Sequence, residues 1–226
     1  MPIPDYNGET FAAFADISGF KEMMKHDNRA VKALDHFYTS GYQVLHTHPR
    51  VHGIFISDCA VLFVNDHESL DNQLQALLEV VEELNRAVLQ HDIMLATSIA
   101  RGQFSYHQRL EFPGIEKNLV YGNAYVAAFL DNEAGLPRIQ PGQCRIAKRG
   151  LNHHTELTLP RLSSKKDHYY FYWMIRVGDS IESFTERYAD VYQQKYRGML
   201  EAIKDAANNG LGATGDTLRA SPAPQQ

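Results

Sequence analysis

Apolar positions follow one another in two rhythms, short unbroken runs and longer stretches at helical spacing, and the alternation of the two lays out the chain. Residues 10–16 are apolar almost without a break, as in a strand covered on both faces. From Ser18 onward Phe20, Met23 and Met24, then Val31, Leu34, Phe37, Tyr38, Tyr42 and Leu45, recur every three or four positions. That spacing predicts two helices, with His26-Asp27-Asn28 as the break and new N-cap. After Pro49, residues 51–56 and 59–64 read as two strands joined tightly around Ser57-Asp58, which places Asp58 at a hairpin tip. Residues 68–91 carry Leu70, Leu74, Leu77, Leu78, Val81, Leu84 and Val88 on one face, an amphipathic helix that must pack on a sheet.

Residues 93–99 and 102–106 read as a further strand pair interrupted at Arg101-Gly102, and 121–130 as a small-residue helix begun after Gly122. The order β-α-ββ-α-ββ-α, with helices to one side of an antiparallel-centred sheet, predicts an α+β fold of ferredoxin-like or palm type. Residues 137–166 are rich in Pro, Gly and basic residues, with one short strand at 144–147. An aromatic strand at 168–177 and a long closing helix over 180–207 follow. From residue 208 the composition turns to Gly, Ala, Ser, Pro and Gln, which cannot repay the entropy of ordering. One domain over 1–207 and a disordered tail over 208–226 are therefore expected.

Composition narrows the function classes. A formal charge of -5 gives no basic footprint for nucleic acid. Two cysteines, Cys59 and Cys144, argue against a disulfide scaffold and for a cytoplasmic protein, and no apolar run is long enough to cross a bilayer.

The chemistry concentrates in two places. In Phe14-Ala15-Asp16-Ile17-Ser18-Gly19-Phe20 a carboxylate ends an apolar strand just before a Ser-Gly turn that opens a helix, so an acid and unpaired backbone N–H groups lie side by side. Asp58 sits in an otherwise apolar hairpin, where an unpaired charge costs several kcal/mol unless a cation neutralises it. Either aspartate alone is more often a cap or turn residue; on neighbouring strands they would make a divalent-metal site for a phosphate chain.

These stretches resemble the class III nucleotidyl cyclases. The Asp16 motif is similar to that family's strand-end motif, Ile56-Ser57-Asp58 to the hairpin bearing its second metal aspartate, and Tyr121-Gly122-Asn123 to the Trp-Gly-Asp or Trp-Gly-Asn that opens a later helix. The likeness spans roughly residues 10–134. It implies that Asp16, the Ile17 carbonyl and Asp58 hold two divalent ions, Mn²⁺ or Mg²⁺, that Phe14, Ile17, Ser18, Gly19 and Phe20 border the nucleotide, and that two subunits share each site in a homodimer. The departures are specific: Val126 and Leu130 stand where the family places an Asn and an Arg, and Ile54 and Leu119 stand where adenylate cyclases read their base with Lys and Asp. Neither side chain can hydrogen-bond a purine.

Within the family, the length, the Asp-Ile-Ser-Gly-Phe form and Arg101-Gly102-Gln103-Phe104-Ser105 resemble the pyrimidine (uridylate) cyclases of the bacterial Pycsar antiphage system. That resemblance implies a lyase making cyclic UMP from UTP, or cyclic CMP from CTP, and signalling to a separate effector. Arg101 is then a candidate phosphate or transition-state contact; the plainer reading is an arginine paired with an acid. The rivals are a silent cyclase-homology domain that binds nucleotide or only dimerises, and a purine cyclase with an unusual pocket. The histidines at 46, 48, 52, 153 and 154 read as polar surface, Tyr169-Tyr170-Phe171-Tyr172-Trp173 as a strand facing core on one side and a partner on the other, and Lys165-Lys166 as solvated loop.

Overall fold

The computed structural model describes residues 3–112, 115–134, 137–151 and 157–174, with 205 and 208. In chain order the elements are β1 (Tyr6–Ile17), α1 (Phe20–Met23), α2 (Asp27–Thr47), β2 (Val51–Ile56), β3 (Cys59–Val64), α3 (Leu70–Leu89), β4 (Leu95–Phe112), β5 (Ile115–Tyr121), α4 (Asn123–Ala134), β6 (Cys144–Ala147), β7 (Leu162–Ser164) and β8 (His168–Phe171). The strands form one sheet in the order β2-β3-β1-β4-β6-β8-β7, with β5 paired to β4. The centre, β3-β1-β4, is antiparallel, and β6 joins β4 in parallel. The predicted α+β class and palm-like centre are therefore present.

β1 reads as an unbroken apolar run because both of its faces are covered. Phe11, Ala13, Ala15 and Ile17 join a core with Phe37 of α2 and Leu74, Leu77, Val81 and Leu84 of α3. Ala12 and Phe14 join a second core with Phe63, Phe104, and Ala124 and Ala128 of α4. This corrects the expectation that all helices lie to one side: α4 covers the opposite face. Alanine permits that, since a helix with Ala124 and Ala128 inward lies close against Ala12 and Ala100.

A second correction concerns β4. It does not break at Arg101-Gly102 but runs 18 residues, with Gly102 in register with Thr10 of β1. Gly102 clears space rather than turning the chain, since a Cβ there would lie 2.3 Å from Asn123 Oδ1. The strand that completes the ββ pair is β5, whose periodicity was too short to read. Elsewhere the hairpin bounds 51–56 and 59–64, the break between α1 and α2, and the start of α4 after Gly122 agree with the sequence. Tyr169, Tyr172 and Trp173 are buried, as expected, with the Trp173 indole N–H donating to Gly142 O at 2.8 Å. The closing helix and the tail lie, apart from positions 205 and 208, outside the described residues.

Candidate functional site

Asp16 is the penultimate residue of β1 and pairs across the ladder with Cys59, the first residue of β3. Asp58 precedes Cys59 in the two-residue hairpin loop, where Ser57 adopts φ 53°. A positive φ suits the primed turns that match the twist of a hairpin, at a cost of order 1 kcal/mol for a residue with a Cβ. The loop is locked to β1 from the other side, because the Ile17 N–H donates to Asp58 O at 2.9 Å. Main-chain bonds thus bring the two acids, 42 positions apart in sequence, to one end of the sheet.

Among the described residues no cation is paired with either of them. The Asp16 carboxyl is pushed up to about 7, first by burial, then by the negative charges of Asp58 and of Glu133 near the end of α4. No cation figures among these causes. The same three acids, with burial, raise the Cys59 thiol to about 11, so Cys59 is a poor nucleophile. Two juxtaposed carboxylates under mutual repulsion are hard oxygen donors of the kind a divalent cation takes. Among the described residues no cluster of three or more His, Cys, Asp or Glu side chains is arranged as a metal cage.

The loop that follows supplies fewer free amides than the sequence implied. Ser18 N–H donates to Met94 O at 2.8 Å, and that of Ile17 is spent on Asp58. Gly19, at φ 78°, is exposed and opens the four-residue α1. Phe14 and Phe20 are buried, and Phe14 meets Phe129 edge-on at 5.2 Å between ring centroids, so only their backbones could face a ligand.

Arg101 is not part of this cluster. It stands five positions along β4 from Ala96, the residue opposite Asp16, a separation of about 17 Å at strand rise. Its guanidinium pairs with Glu9 at 2.8 Å, as in the plainer reading. Arg101 also borders a cleft of about 700 Å³ beside α4, with Asn123, Val126, Leu130, Ala147 and Arg149. The histidines expected to be surface take separate partners: His46 stacks on Tyr42, His48 meets Glu83 at 3.2 Å, and His52 lies against Phe63.

Sequence reasoning missed the residues that hold α4 in place. Asn132, buried, donates to Ala96 O at 2.9 Å and Phe14 O at 3.4 Å, tying the helix to the two strands next to Asp16. Asp131 accepts from Ser98 Oγ at 2.8 Å and from the fully buried Arg145 at 2.7 Å, and meets His168 Nε2 at 2.7 Å. The signal was available: a charged residue inside the apolar strand Cys144–Ala147, and the polar run Asp131-Asn132-Glu133 closing an apolar helix.

With this geometry in view, the architecture can be compared with solved structures. The adenylyl cyclase CyaB from P. aeruginosa matches with a TM-score of 0.52 at 12% identity, over 74% of this chain and 95% of its own. The guanylate cyclase domain of RhGC from Catenaria anguillulae, solved with GTP, matches at 0.53 and 11% identity, over 74% and 97%. The fold is that of a class III nucleotidyl cyclase domain. The dimeric guanylyl cyclase domain of RhoGC from Blastocladiella emersonii shares this cyclase fold at 0.56 and 9% identity, over 75% and 98%. No protein-family model and no curated protein sequence matches the chain. At these identities the likeness is one of cyclase fold. Among the described residues no helix is long and apolar enough to cross a membrane.

Proposed function

We propose that this protein is a nucleotidyl cyclase of the class III type that acts on a pyrimidine nucleoside triphosphate, converting UTP to 3′,5′-cyclic UMP and diphosphate. The observation that carries the reading is the Asp16–Asp58 pair, two repelling acids with no cation among the influences on Asp16, at the strand and hairpin ends of a cyclase fold. Ile54 and Leu119, apolar at positions where a purine edge would need polar partners, favour a pyrimidine. In this reading the enzyme works in the cytoplasm, its cyclic product serves as a messenger in antiphage defence, and a separate effector senses it.

Asp16, Asp58 and the Ile17 carbonyl oxygen would hold two divalent ions, Mn²⁺ or Mg²⁺, which when bound neutralise the phosphate chain and acidify the ribose 3′-hydroxyl. The hairpin bond from Ile17 N–H to Asp58 O fixes the spacing of the acids before substrate arrives, so little reorganisation is left for the reacting state. Backbone groups from Phe14 to Phe20, with Gly19 exposed at the turn, border the phosphates. The 3′-oxygen forms its bond to the α-phosphorus and gives up its proton to solvent water. The bond from that phosphorus to the bridging oxygen breaks, and diphosphate leaves with the electron pair.

The rest of the site comes from a second copy in this reading. Val126 and Leu130 of α4, with Tyr121 at the end of β5, are each about half exposed, an apolar face that suits a head-to-tail homodimer. Arg101, too far along β4 to serve the Asp16 of its own chain, contacts phosphate in the neighbour's site.

The test is incubation of the purified protein with each of the four ribonucleoside triphosphates and Mn²⁺, with cyclic products identified by mass. Cyclic UMP is the expected product, and cyclic CMP alone would move the specificity to cytosine. Product only from ATP or GTP overturns the pyrimidine reading. The second reading, a silent cyclase-homology domain, is favoured by Val126 and Leu130 where the family carries Asn and Arg. A folded dimer that makes no product from any triphosphate would establish it.

A further inference from the structure

A second cleft lies on the α2 and α3 side of the sheet, away from the α4 face. It holds about 260 Å³ and is lined by Met23, Arg29, Lys32, His36, His91 and Asp92, with Ala33 and Ile93 at its base. Arg29, Lys32 and His36 project from the first three turns of α2 along one helical face. His91 comes from the turn between α3 and β4, and its ring stacks on His36 at 3.7 Å between centroids and 7° between planes.

Arg29, Lys32, His91 and Asp92 are exposed, so the set is open to an incoming anion. Arg29 lies in the first turn of a 21-residue helix, the end whose dipole disfavours a cation. Among the described residues neither Arg29 nor Lys32 pairs with a carboxylate. The two stacked imidazoles present their ring N–H edges to the same cleft. Among the described residues lining the cleft the one acid is Asp92, held at φ 64° in the turn. The net sign of the cleft is positive, and it offers a guanidinium fork, an ammonium and two imidazole edges within a volume suited to one or two phosphate groups.

We propose that this cleft is a phosphate-binding site, distinct from the Asp16–Asp58 centre, for inorganic phosphate, diphosphate or the phosphoryl end of a nucleotide. Its position connects it to that centre. Ile93 lines the cleft, and the next residue, Met94, accepts the Ser18 N–H just behind Asp16. An anion drawn onto His91 therefore bears on the turn that positions the acid-bearing loop.

The test uses the full chain without divalent ions and reads binding by calorimetry, with phosphate, diphosphate and uridine monophosphate as separate probes. At least one probe binds, and added salt weakens the binding, because Arg29 and Lys32 act through charge. Arg29→Ala with Lys32→Ala weakens it about tenfold or more, and Arg29→Lys restores part of the loss. Tightest binding of diphosphate marks a reaction product as ligand; tightest binding of the nucleotide marks an ester. In wild type the ring-proton resonances of His36 and His91 shift on binding. Asp16→Asn still binds the probe. Equal affinity in wild type and the double variant, no binding of any probe, or loss of binding in Asp16→Asn overturns the proposal. Since no step needs turnover, failure of the cyclase assay leaves this result standing.

Discussion

Two aspartates on the same side of the sheet, Asp16 and Asp131, are pushed in opposite directions by their surroundings. Both are largely buried, and burial alone raises a carboxyl. At Asp131 that effect is overcome by donors from His168, Arg145 and Ser98, and the carboxyl is held down at about 2. At Asp16 burial is reinforced by two further acids, and the carboxyl rises to about 7. Among the described residues the fold completes one charge and leaves the other incomplete. A satisfied buried acid is a structural device, and an unsatisfied one is a place where a cation from outside the chain would lower the energy.

Replacing either centre should have opposite effects on activity and on stability. Asp16→Asn or Asp58→Asn should lower cyclase activity by about a thousandfold or more, read as cyclic product per minute. The same Asp16→Asn should raise the stability of the metal-free protein, by up to about 3 kcal/mol at pH 8, since it removes a charge the folded state disfavours. Lower stability on denaturant unfolding would mean that Asp16 is already satisfied within the chain.

At the other centre, Asp131→Asn or Arg145→Met should cost about 3–5 kcal/mol in urea unfolding, because each leaves its buried partner uncompensated. A loss under about 1 kcal/mol would show the network to be dispensable.

Divalent ions sharpen the contrast. Mn²⁺ at a hundredfold excess over its dissociation constant should stabilise wild type by about 2.7 kcal/mol and leave Asp16→Asn unmoved. A wild-type melting curve indifferent to Mn²⁺ would remove the metal from the site.

The smallest effect is in acid. The carboxyl of Asp131 is depressed from its unfolded value near 3.9, so its contribution, about 2 kcal/mol, is fully present above that value. It is lost as pH falls from about 4 through about 2, and Asp131→Asn should flatten that part of the stability profile. An unchanged slope would assign acid sensitivity to other groups.

What could be read in advance follows the same division. Asp16 and Asp58 were legible because each interrupts an apolar run, and a charge in such a place demands an explanation. Arg145 interrupts an apolar run too, but its strand has four residues, too short a window to stand out beside a loop rich in Pro and Gly. Helices α2 and α3 were legible from long periodicity. The side of the sheet that α4 covers was not, since a helix of small residues carries little directional pattern. Arg101-Gly102 looked like a break because glycine punctuates most strands. Here the missing Cβ admits Asn123, a contact that no local signal records.

One strand carries a fixed measure for the whole arrangement. Within six positions β4 faces Asp16 with Ala96, anchors Asp131 through Ser98, and reaches Glu9 with Arg101. Adding or deleting a single residue in that interval would exchange inward and outward side chains from there on. Drift at this site is thus confined to substitutions, and its length should be the property least free to vary among descendants.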